Sequence, residues 1–246
     1  MAVPTLYILN RNYSSWSLRA WFAIRTLGIP VNVIPLIVGN KEIPDIRTKE
    51  SDAFLAQAGG SGKVPSLHAR KPNGETHVVF ESLAILEFLA EDHPSLWPAD
   101  KFERAYARSL ASEMATGFGH LRNFCFIVKA DYPFKVAEHL YTPAAEKDLL
   151  RITGVWEELR SKAVQNKETD KGFLFGHLTA LDSMYSPIIF RIRSYKLQDK
   201  IPFPLAKAYI EHMFNTPALQ EWTKEALAET EILPSCEMLP ENPAQA

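Results

Sequence analysis

The order of strand-like and helix-like segments at the start of the chain constrains the fold more than any other feature. Two apolar runs rich in aliphatic and β-branched residues, TLYIL (5–9) and VNVIPL (31–36), are flanked by turn-forming residues, as strands are. Apolar residues between them recur at helical spacing, and Gly28 and Pro30 then stop the helix. This order predicts two parallel strands joined by a right-handed crossover.

A second group of elements follows an irregular stretch. The segments KVPSLHAR and THVVF flank KPNGE, in which Asn73-Gly74 is a strong hairpin signal. Ser82 then opens a helical pattern that ends at a proline. The order β-α-β followed by β-β-α is that of a thioredoxin-like α/β domain.

The pattern becomes helical after Pro94. Beyond the linker PSLWPAD, apolar residues recur every three or four positions, which predicts one long helix. These residues are Phe102, Tyr106, Leu110, Met114, Phe118 and Leu121.

Further helices are indicated towards the C-terminus. Thr142 and Thr216 are each followed by proline, as at a helix start, and Thr179 and Asp182 have the spacing of a capping box. No strand pair is predicted after Phe80. The expected organisation is a thioredoxin-like N-terminal domain followed by an all-α C-terminal domain. The predicted units are residues 1–93, the linker 94–100 and residues 101–246.

Composition argues against several classes of partner. The 246 residues include 27 basic and 29 acidic side chains, and the net charge of −2 gives no basis for binding nucleic acid or an anionic membrane. No apolar run approaches the roughly 20 residues that span a bilayer. The seven histidines lack metal-binding spacing, so we expect no metal. Cys125 and Cys236 are too few and too distant for a disulfide framework, which favours a cytoplasmic protein.

Four motifs carry a resemblance to a known family. They are SSWSLRAW at the first helix, GKVPSL, ESLAILEFLAEDHP and, in the helical half, FLFGHLTALDSMYSP. Together they resemble the cytosolic glutathione S-transferases. NYSSWSLR and GFGHLR resemble a serine-type branch related to the zeta class and found in bacteria and fungi. FCFIVKADYPF departs from the proline-methionine-asparagine segment of that branch.

The resemblance implies both substrates and assembly. Glutathione is the implied co-substrate, with a hydrophobic electrophile as its partner. The implied assembly is a homodimer in which the small domain of one subunit packs on the helical domain of the other.

The serines ahead of the first helix are the candidate catalytic residues. The thiolate is the nucleophile, and a thiol with a pKa of about 8.5 is only slightly ionised at neutral pH. Lowering that pKa by about two units requires roughly 2.7 kcal/mol. A hydroxyl that donates to the sulfur supplies about 1.5–3 kcal/mol, and a helix N-terminus about 0.3–1 kcal/mol. The resemblance points to Ser14, with Ser15 as a close second.

Other roles stay open in this segment. Serines before a helix most often cap it, and Ser17, one turn further on, is interpreted as structural. Tyr7 and Tyr13 are rivals, because other transferase classes use a tyrosine at the end of the first strand, although the apolar run around Tyr7 is typical of a packed residue. Trp16 stands where thiol-disulfide relatives and the zeta class carry a cysteine, which disfavours a mixed disulfide with glutathione.

The resemblance also implies how the rest of glutathione binds. A cis Pro65 exposes the backbone of Val64 for pairing with the extended tripeptide. Glu81 is expected to bind the ammonium and Ser82 the carboxylate of the γ-glutamyl end, whereas an acidic residue beside an ordinary N-cap is the alternative. For the glycyl carboxylate the sequence does not separate three candidates, which are Lys41, Lys49 and Lys63.

The pocket for the second substrate is expected on the long helix. Its predicted lining is Met114, Phe118, Leu121 and Cys125, with the tail ILPSCEMLPENPAQA as a candidate lid. Apolar lining restricts the substrate only to a broad class.

Three hypotheses of function follow. The leading one is a transferase that adds glutathione to an electrophilic apolar substrate. A glutathione-dependent cis-trans isomerase is the alternative within the enzymes, and Trp16 weakens a direct zeta-type assignment. A non-catalytic ligand carrier or regulatory protein is the alternative outside them. The hydroxyl cluster, the Val-Pro step and the Glu-Ser pair together favour catalysis.

Overall fold

The N-terminal part contains a sheet with the strand order β2-β1-β3-β4. The strands are β1 (Thr5–Ile8), β2 (Asn32–Pro35), β3 (Ser66–Arg70) and β4 (Thr76–Phe80). These elements come from a computed structural model that describes residues 3–36, 49–124 and 141–231. β1 runs parallel to β2, whereas β3 is antiparallel to both β1 and β4. The directions of the β1–β2 pair and of the β3–β4 hairpin are those predicted from the sequence.

Three helices accompany this sheet. They are α1 (Ser15–Thr26), α2 (Lys49–Ala58) and α3 (Ser82–Asp92). α2 lies in the stretch that the sequence analysis predicted to be irregular, whereas α1 and α3 were predicted. The hairpin between β3 and β4 turns at Asn73-Gly74, where Gly74 has φ +87° and the Lys71 N–H donates to the Glu75 carbonyl at 2.8 Å. These elements confirm the thioredoxin-like fold.

The prediction of one long helix after residue 100 is wrong. α4 (Lys101–Thr116) ends at Gly117, and α5 (Gly119–Phe124) begins after Phe118, whose φ is +60°. The Gly117 N–H donates to the carbonyl of Glu113 at 2.7 Å, and a Cβ at Gly117 would lie 2.8 Å from that oxygen. Apolar spacing continues across the break, so periodicity alone could not reveal it.

Four α-helices lie after residue 141 in the described ranges. They are α6 (Pro143–Ala163), α7 (Ala180–Ser194), α8 (Pro204–Phe214) and α9 (Pro217–Ala228). Three of them begin at predicted caps, and α8 was not predicted. Thr142 and Thr216 cap α6 and α9, each accepting a backbone N–H three residues on. The N–H and the hydroxyl of Thr179 donate to the Asp182 carboxylate at 2.8 and 2.7 Å, which confirms the capping box. All strands in the described ranges precede residue 81, and this confirms the predicted fold class.

A shared apolar core joins the sheet to the helical part. α1 lies at its centre, with Trp21 edge-on to Trp222 of α9 at 5.0 Å between ring centres, and residues of β1, α1, α7 and α9 form one buried cluster. The start of α1 is therefore held by both parts of the chain. The division at residues 94–100 stays a prediction. Within the described ranges no helix is long and apolar enough to cross a membrane.

Candidate functional site

The start of α1 is built on a buried pair of serines. Ser14 is the N-cap: its Oγ accepts the N–H of Ser17 at 3.2 Å and donates to the Oγ of Ser17 at 2.7 Å. The Oγ of Ser17 also accepts the N–H of Leu9 at 3.2 Å, and this bond ties the helix to the end of β1. Ser17 thus has the structural role predicted for it, and Ser14 is part of the same network.

Ser14 and Ser15 differ in their surroundings. Both are buried, at 6% and 9% exposure. The hydroxyl of Ser14 is already bonded to Ser17, whereas that of Ser15 has no hydrogen bond within the described residues. The structure therefore assigns the capping role to Ser14, and the choice of catalytic serine stays a prediction.

A cleft of about 140 Å³ is lined by Trp16, the residue that follows these serines in sequence, and it brings several predicted residues together. Its lining is Trp16, Ser61, Lys63, Val64, Pro65 and Glu81. The Val64–Pro65 peptide bond is cis, as expected from the resemblance. Val64 precedes β3 by two residues, and Ser66, the first residue of β3, pairs with Tyr7 of β1. Ser14, Ser15 and Ser82 are not among the lining residues.

Ser61 was missed by the sequence analysis. It lies in a loop whose neighbours Gly60 and Gly62 both have φ +67°, and the side chain of Phe80 leaves no room for a Cβ at Gly60. The signal was the run GGSG, because glycines at such density mark backbone that only glycine adopts readily.

Glu81 and Ser82 form the start of α3. Glu81 has φ +67°, a left-handed conformation that is uncommon outside glycine and often found at functional sites. Its side chain makes no capping bond. Ser82 is the first helical residue rather than the cap, its exposure is 1%, and its buried hydroxyl has no partner among the described residues. A buried donor at a helix N-terminus suits a carboxylate.

The rival candidates are placed less favourably. Tyr7 is 6% exposed and packs against the rings of Phe54 and His68, as expected of a core residue. The Tyr13 hydroxyl donates to the Glu231 carbonyl at 3.4 Å. Among the three lysines, Lys63 lies in the cleft. Lys41 and the side chain of Lys49 lie outside the described residues.

Two arginines flank Trp16. The guanidinium carbons of Arg19 and Arg122 lie 4.1 and 4.9 Å from the centre of its ring. Arg19 is 1% exposed, its Nε donates to the Met184 carbonyl, and its Nη1 has no partner among the described residues. Burial, reinforced by the charges of Arg122 and Arg191, lowers the pKa of Arg19 to about 9. Positive charge therefore accumulates behind the tryptophan of the cleft.

The predicted substrate pocket is only partly described. Met114, Phe118 and Leu121 are buried in the apolar core, at 0%, 8% and 0% exposure, and the structure does not bring them to the cleft beside Trp16. Cys125 lies outside the described residues, as does the tail after residue 231. Their role in binding the electrophile stays a prediction.

Comparison with known proteins matches the N-terminal part of the chain to a known family. The glutathione S-transferase N-terminal domain family matches residues 13–92, the span that includes Ser14, the cleft and Ser82. This match covers about a third of the chain and lies in its N-terminal part. A probable maleylacetoacetate isomerase of Caenorhabditis elegans is similar to this chain, with 25% identity over 218 residues, covering 87% of this chain and 90% of the relative.

Solved structures share the glutathione S-transferase fold. A glutathione transferase homologue from Burkholderia, with bound glutathione, has 20% identity and a TM-score of 0.56, covering 92% of this chain and 99% of its own. The nitrogen regulation fragment of the yeast prion protein Ure2p has 18% identity and a TM-score of 0.65, covering 90% and 96%. At this identity the likeness concerns the fold.

No metal site is evident in the described part of the chain. The residues of 3–36, 49–124 and 141–231 contain no group of three or more histidine, cysteine, aspartate or glutamate side chains placed to hold a metal ion.

Proposed function

We propose that this protein is an enzyme that binds glutathione, stabilises its thiolate and adds it to an electrophilic carbon of an apolar substrate. The observation that carries the proposal is the buried Ser14–Ser17 pair at the N-terminus of α1, with Trp16 of the cleft between them in sequence. A hydroxyl in this place joins a hydrogen-bond donor to the positive end of a helix, and both stabilise an anion.

Activation requires the Ser14 proton to turn from Ser17 to the glutathione sulfur. The 2.7 Å separation of the two hydroxyl oxygens suits donation in either direction. When Ser17 donates to Ser14, a chain runs from the Leu9 N–H through both hydroxyls to the sulfur, and each bond polarises the next. The thiol proton passes to solvent, and the sulfur lone pair then forms the bond to carbon. At a conjugated double bond the π pair moves onto the neighbouring carbon, which takes a proton from solvent, and at a saturated carbon the leaving group departs with its bonding pair.

The rest of the tripeptide is assigned to the cleft and the start of α3. We assign the cysteinyl backbone to Val64, the γ-glutamyl ammonium to Glu81 and its carboxylate to Ser82. Support comes from the unpartnered Ser82 hydroxyl and the left-handed backbone of Glu81. Lys63 is assigned to the glycyl carboxylate, because it lies in the cleft.

Isomerisation is the second candidate function. The thiolate would add to a conjugated double bond, a carbon–carbon bond would rotate, and elimination would regenerate the thiolate, so no glutathione is consumed. The observation that favours it is the positive charge of Arg19 and Arg122 around Trp16, which suits a substrate that carries a carboxylate. The isomerase name of the Caenorhabditis elegans relative points the same way.

A regulatory or carrier role is the third candidate. The fold is shared with a fragment of Ure2p that acts in nitrogen regulation. A carrier has no need to stabilise a thiolate, so the serine pair at the helix start favours catalysis over this role.

We also propose a cytoplasmic homodimer. Exposed phenylalanines lie on three neighbouring elements, with Phe80 of β4, Phe88 of α3 and Phe102 of α4 at 42%, 38% and 79% exposure. Exposed apolar side chains in such a group are typical of an interface.

One experiment separates the three functions. The ultraviolet absorbance of the thiolate gives the pKa of bound glutathione, and a panel of electrophiles is assayed that includes a conjugated cis-diene acid. A lowered thiol pKa with net thiol loss supports conjugation. A lowered thiol pKa with unchanged thiol and altered double-bond geometry supports isomerisation. An unperturbed thiol pKa overturns both and leaves the carrier.

A further inference from the structure

The turn that delivers Ser14 to α1 is fastened to the far end of the chain. Residues 10–13 connect β1 to Ser14, and Asn10, Arg11, Asn12 and Tyr13 are all at most 9% exposed. Their partners lie on α9 and the residues directly after it, more than 200 positions away in sequence. The geometry of the candidate catalytic loop is therefore set by the helical part as well as by its own strand and helix.

Arg11 makes the densest set of these contacts. Its backbone N–H and its Nη1 donate to the two oxygens of the Glu229 carboxylate at 2.6 and 2.8 Å. Its Nη2 pairs with the Oε2 of Glu225 at 2.7 Å, and its carbonyl accepts the indole N–H of Trp222 at 3.2 Å. The side chains of Arg11 and Glu229 are 11% and 13% exposed. Little of this pair is screened by water.

The asparagines on either side of Arg11 extend the attachment. Asn10 donates its amide N–H to Glu231 at 3.1 Å, and Asn12 donates its own to the carbonyl of Ala226 at 2.8 Å. The Oδ1 of Asn10 also accepts the N–H of Asn12, and its carbonyl accepts the N–H of Ser14 at 3.0 Å. One continuous hydrogen-bond network thus runs from α9 to the backbone of Ser14.

We infer that Arg11 is a positioning residue for thiolate stabilisation, acting through the turn at residues 10–13 on the hydroxyl of Ser14. This inference rests on the proposed function. The Glu229 carboxylate is held by both the backbone N–H and the Nη1 of Arg11, so it fixes the turn and the side chain together, which a single contact does not. Ser14 discriminates between thiol and thiolate only when its hydroxyl is aimed at the sulfur, so a loosened turn reduces that discrimination more than it reduces glutathione binding.

The chain offers a matched control. Arg25 lies at the other end of α1 and also reaches α9, where its Nε donates to Glu221 at 3.2 Å, in an exposed pair. Both arginines stack on a tryptophan of the α1–α9 contact, Arg11 on Trp222 and Arg25 on Trp21. Arg25 has no hydrogen bond or ion pair with residues 10–13 among the described contacts. Its replacement therefore weakens the contact between α1 and α9 and leaves the contacts of the turn at residues 10–13 intact.

The test compares three variants, which are Arg11→Met, Arg11→Lys and Arg25→Met. For each we measure the thiol pKa of bound glutathione, kcat, KM and the amide hydrogen exchange of residues 10–17. For Arg11→Met we expect the thiol pKa to rise by roughly half to one unit and kcat to fall about threefold to tenfold at neutral pH, with a smaller change in the KM for glutathione. Arg11→Lys should recover part of both, and Arg25→Met should change neither.

Hydrogen exchange reports the rigidity of residues 10–17 independently of the thiol chemistry, so it distinguishes failure of this inference from failure of the proposed function. Faster exchange at residues 10–17 in Arg11→Met, with a raised thiol pKa, supports the inference. A lower unfolding temperature with unchanged thiol pKa overturns it and leaves Arg11 a structural residue. Failure of the wild-type protein to lower the thiol pKa overturns the proposed function and, with it, the positioning role, even where exchange shows that Arg11 holds the turn.

Discussion

The hydroxyl oxygens of Ser14 and Ser17 lie 2.7 Å apart, and both are buried at the start of α1. The same hydroxyl that caps the helix is therefore the candidate donor to the glutathione thiolate. Capping uses its lone pair, whereas thiolate binding uses its proton, so one serine can satisfy both roles at once.

Replacement of Ser14 by alanine should reduce catalysis more than glutathione binding. Loss of a bond to the anion worth about 1.5–3 kcal/mol should raise the bound thiol pKa by roughly one to two units. Turnover should then fall about tenfold to a hundredfold at neutral pH and partly recover towards a pH of about 8.5, where free thiol ionises. A pH series of kcat and KM measures both effects.

Ser15→Ala is the control for that variant. The opposite result, with the pH-dependent loss in Ser15→Ala and an intact rate in Ser14→Ala, assigns the role to the second serine. An equal loss of rate and of glutathione affinity in Ser14→Ala shows a capping role instead.

Ser17→Ala should impair both stability and catalysis, but mildly. The N–H of Leu9 loses its acceptor, which should lower the free energy of unfolding by about 1–3 kcal/mol. Loss of one member of the hydrogen-bond chain should reduce turnover roughly twofold, because such chains strengthen each bond by only about 10–30%. Urea unfolding and kcat are measured beside Ser186→Ala, a buried serine of α7. Equal losses in the two variants contradict the relay.

The pH dependence of stability should contain a contribution from Glu229. Burial, with the nearby charge of Glu231, raises the pKa of Glu229, and hydrogen bonds from Arg11 oppose that rise. The folded protein then binds more protons than the unfolded chain between the ordinary value of about 4.3 and the raised one. The stability contribution of Glu229 is therefore lost as pH rises through that window.

Glu229→Gln should remove this slope. Urea unfolding of wild type and variant is measured across acidic pH. As pH rises, the free energy of unfolding of the variant should increase relative to that of the wild type. If the free energy of unfolding of the wild type instead increases relative to that of the variant, the hydrogen bonds from Arg11 lower the pKa of Glu229 by more than burial raises it.

Phe102→Asp should weaken the proposed dimer. Phe102 is 79% exposed in the single chain, and a charge there disfavours burial against a partner. Sedimentation at micromolar concentration should show a shift towards the 27.8 kDa of one chain. Leu227→Asp, at a residue of α9 with 60% exposure, is the control and should leave the assembly unchanged. If the wild-type protein sediments only as a monomer, the proposal of a homodimer is wrong.

Features that depend on near neighbours in sequence were predicted well. The caps at Thr142 and Thr216, the hairpin at Asn73-Gly74 and the capping box of α7 all involve residues within four positions of each other. Their chemistry is complete within a short window, so the sequence pattern reports it directly. The break at Gly117 was missed because apolar spacing continues through it.

The sequence alone determined the order of the strands, the helices that begin at local caps and the residue types at the start of α1, since each follows from periodicity, turn chemistry and motif spacing. The tertiary structure decided which of them meet. Arg11 and Glu229 are 218 positions apart, and no local pattern links them. Burial of Arg19 beside Trp16 is likewise invisible in the sequence, because it arises only when α1 packs against α7. Such contacts depend on how whole helices and strands pack against each other. Interactions between residues that are close in sequence do not specify that packing.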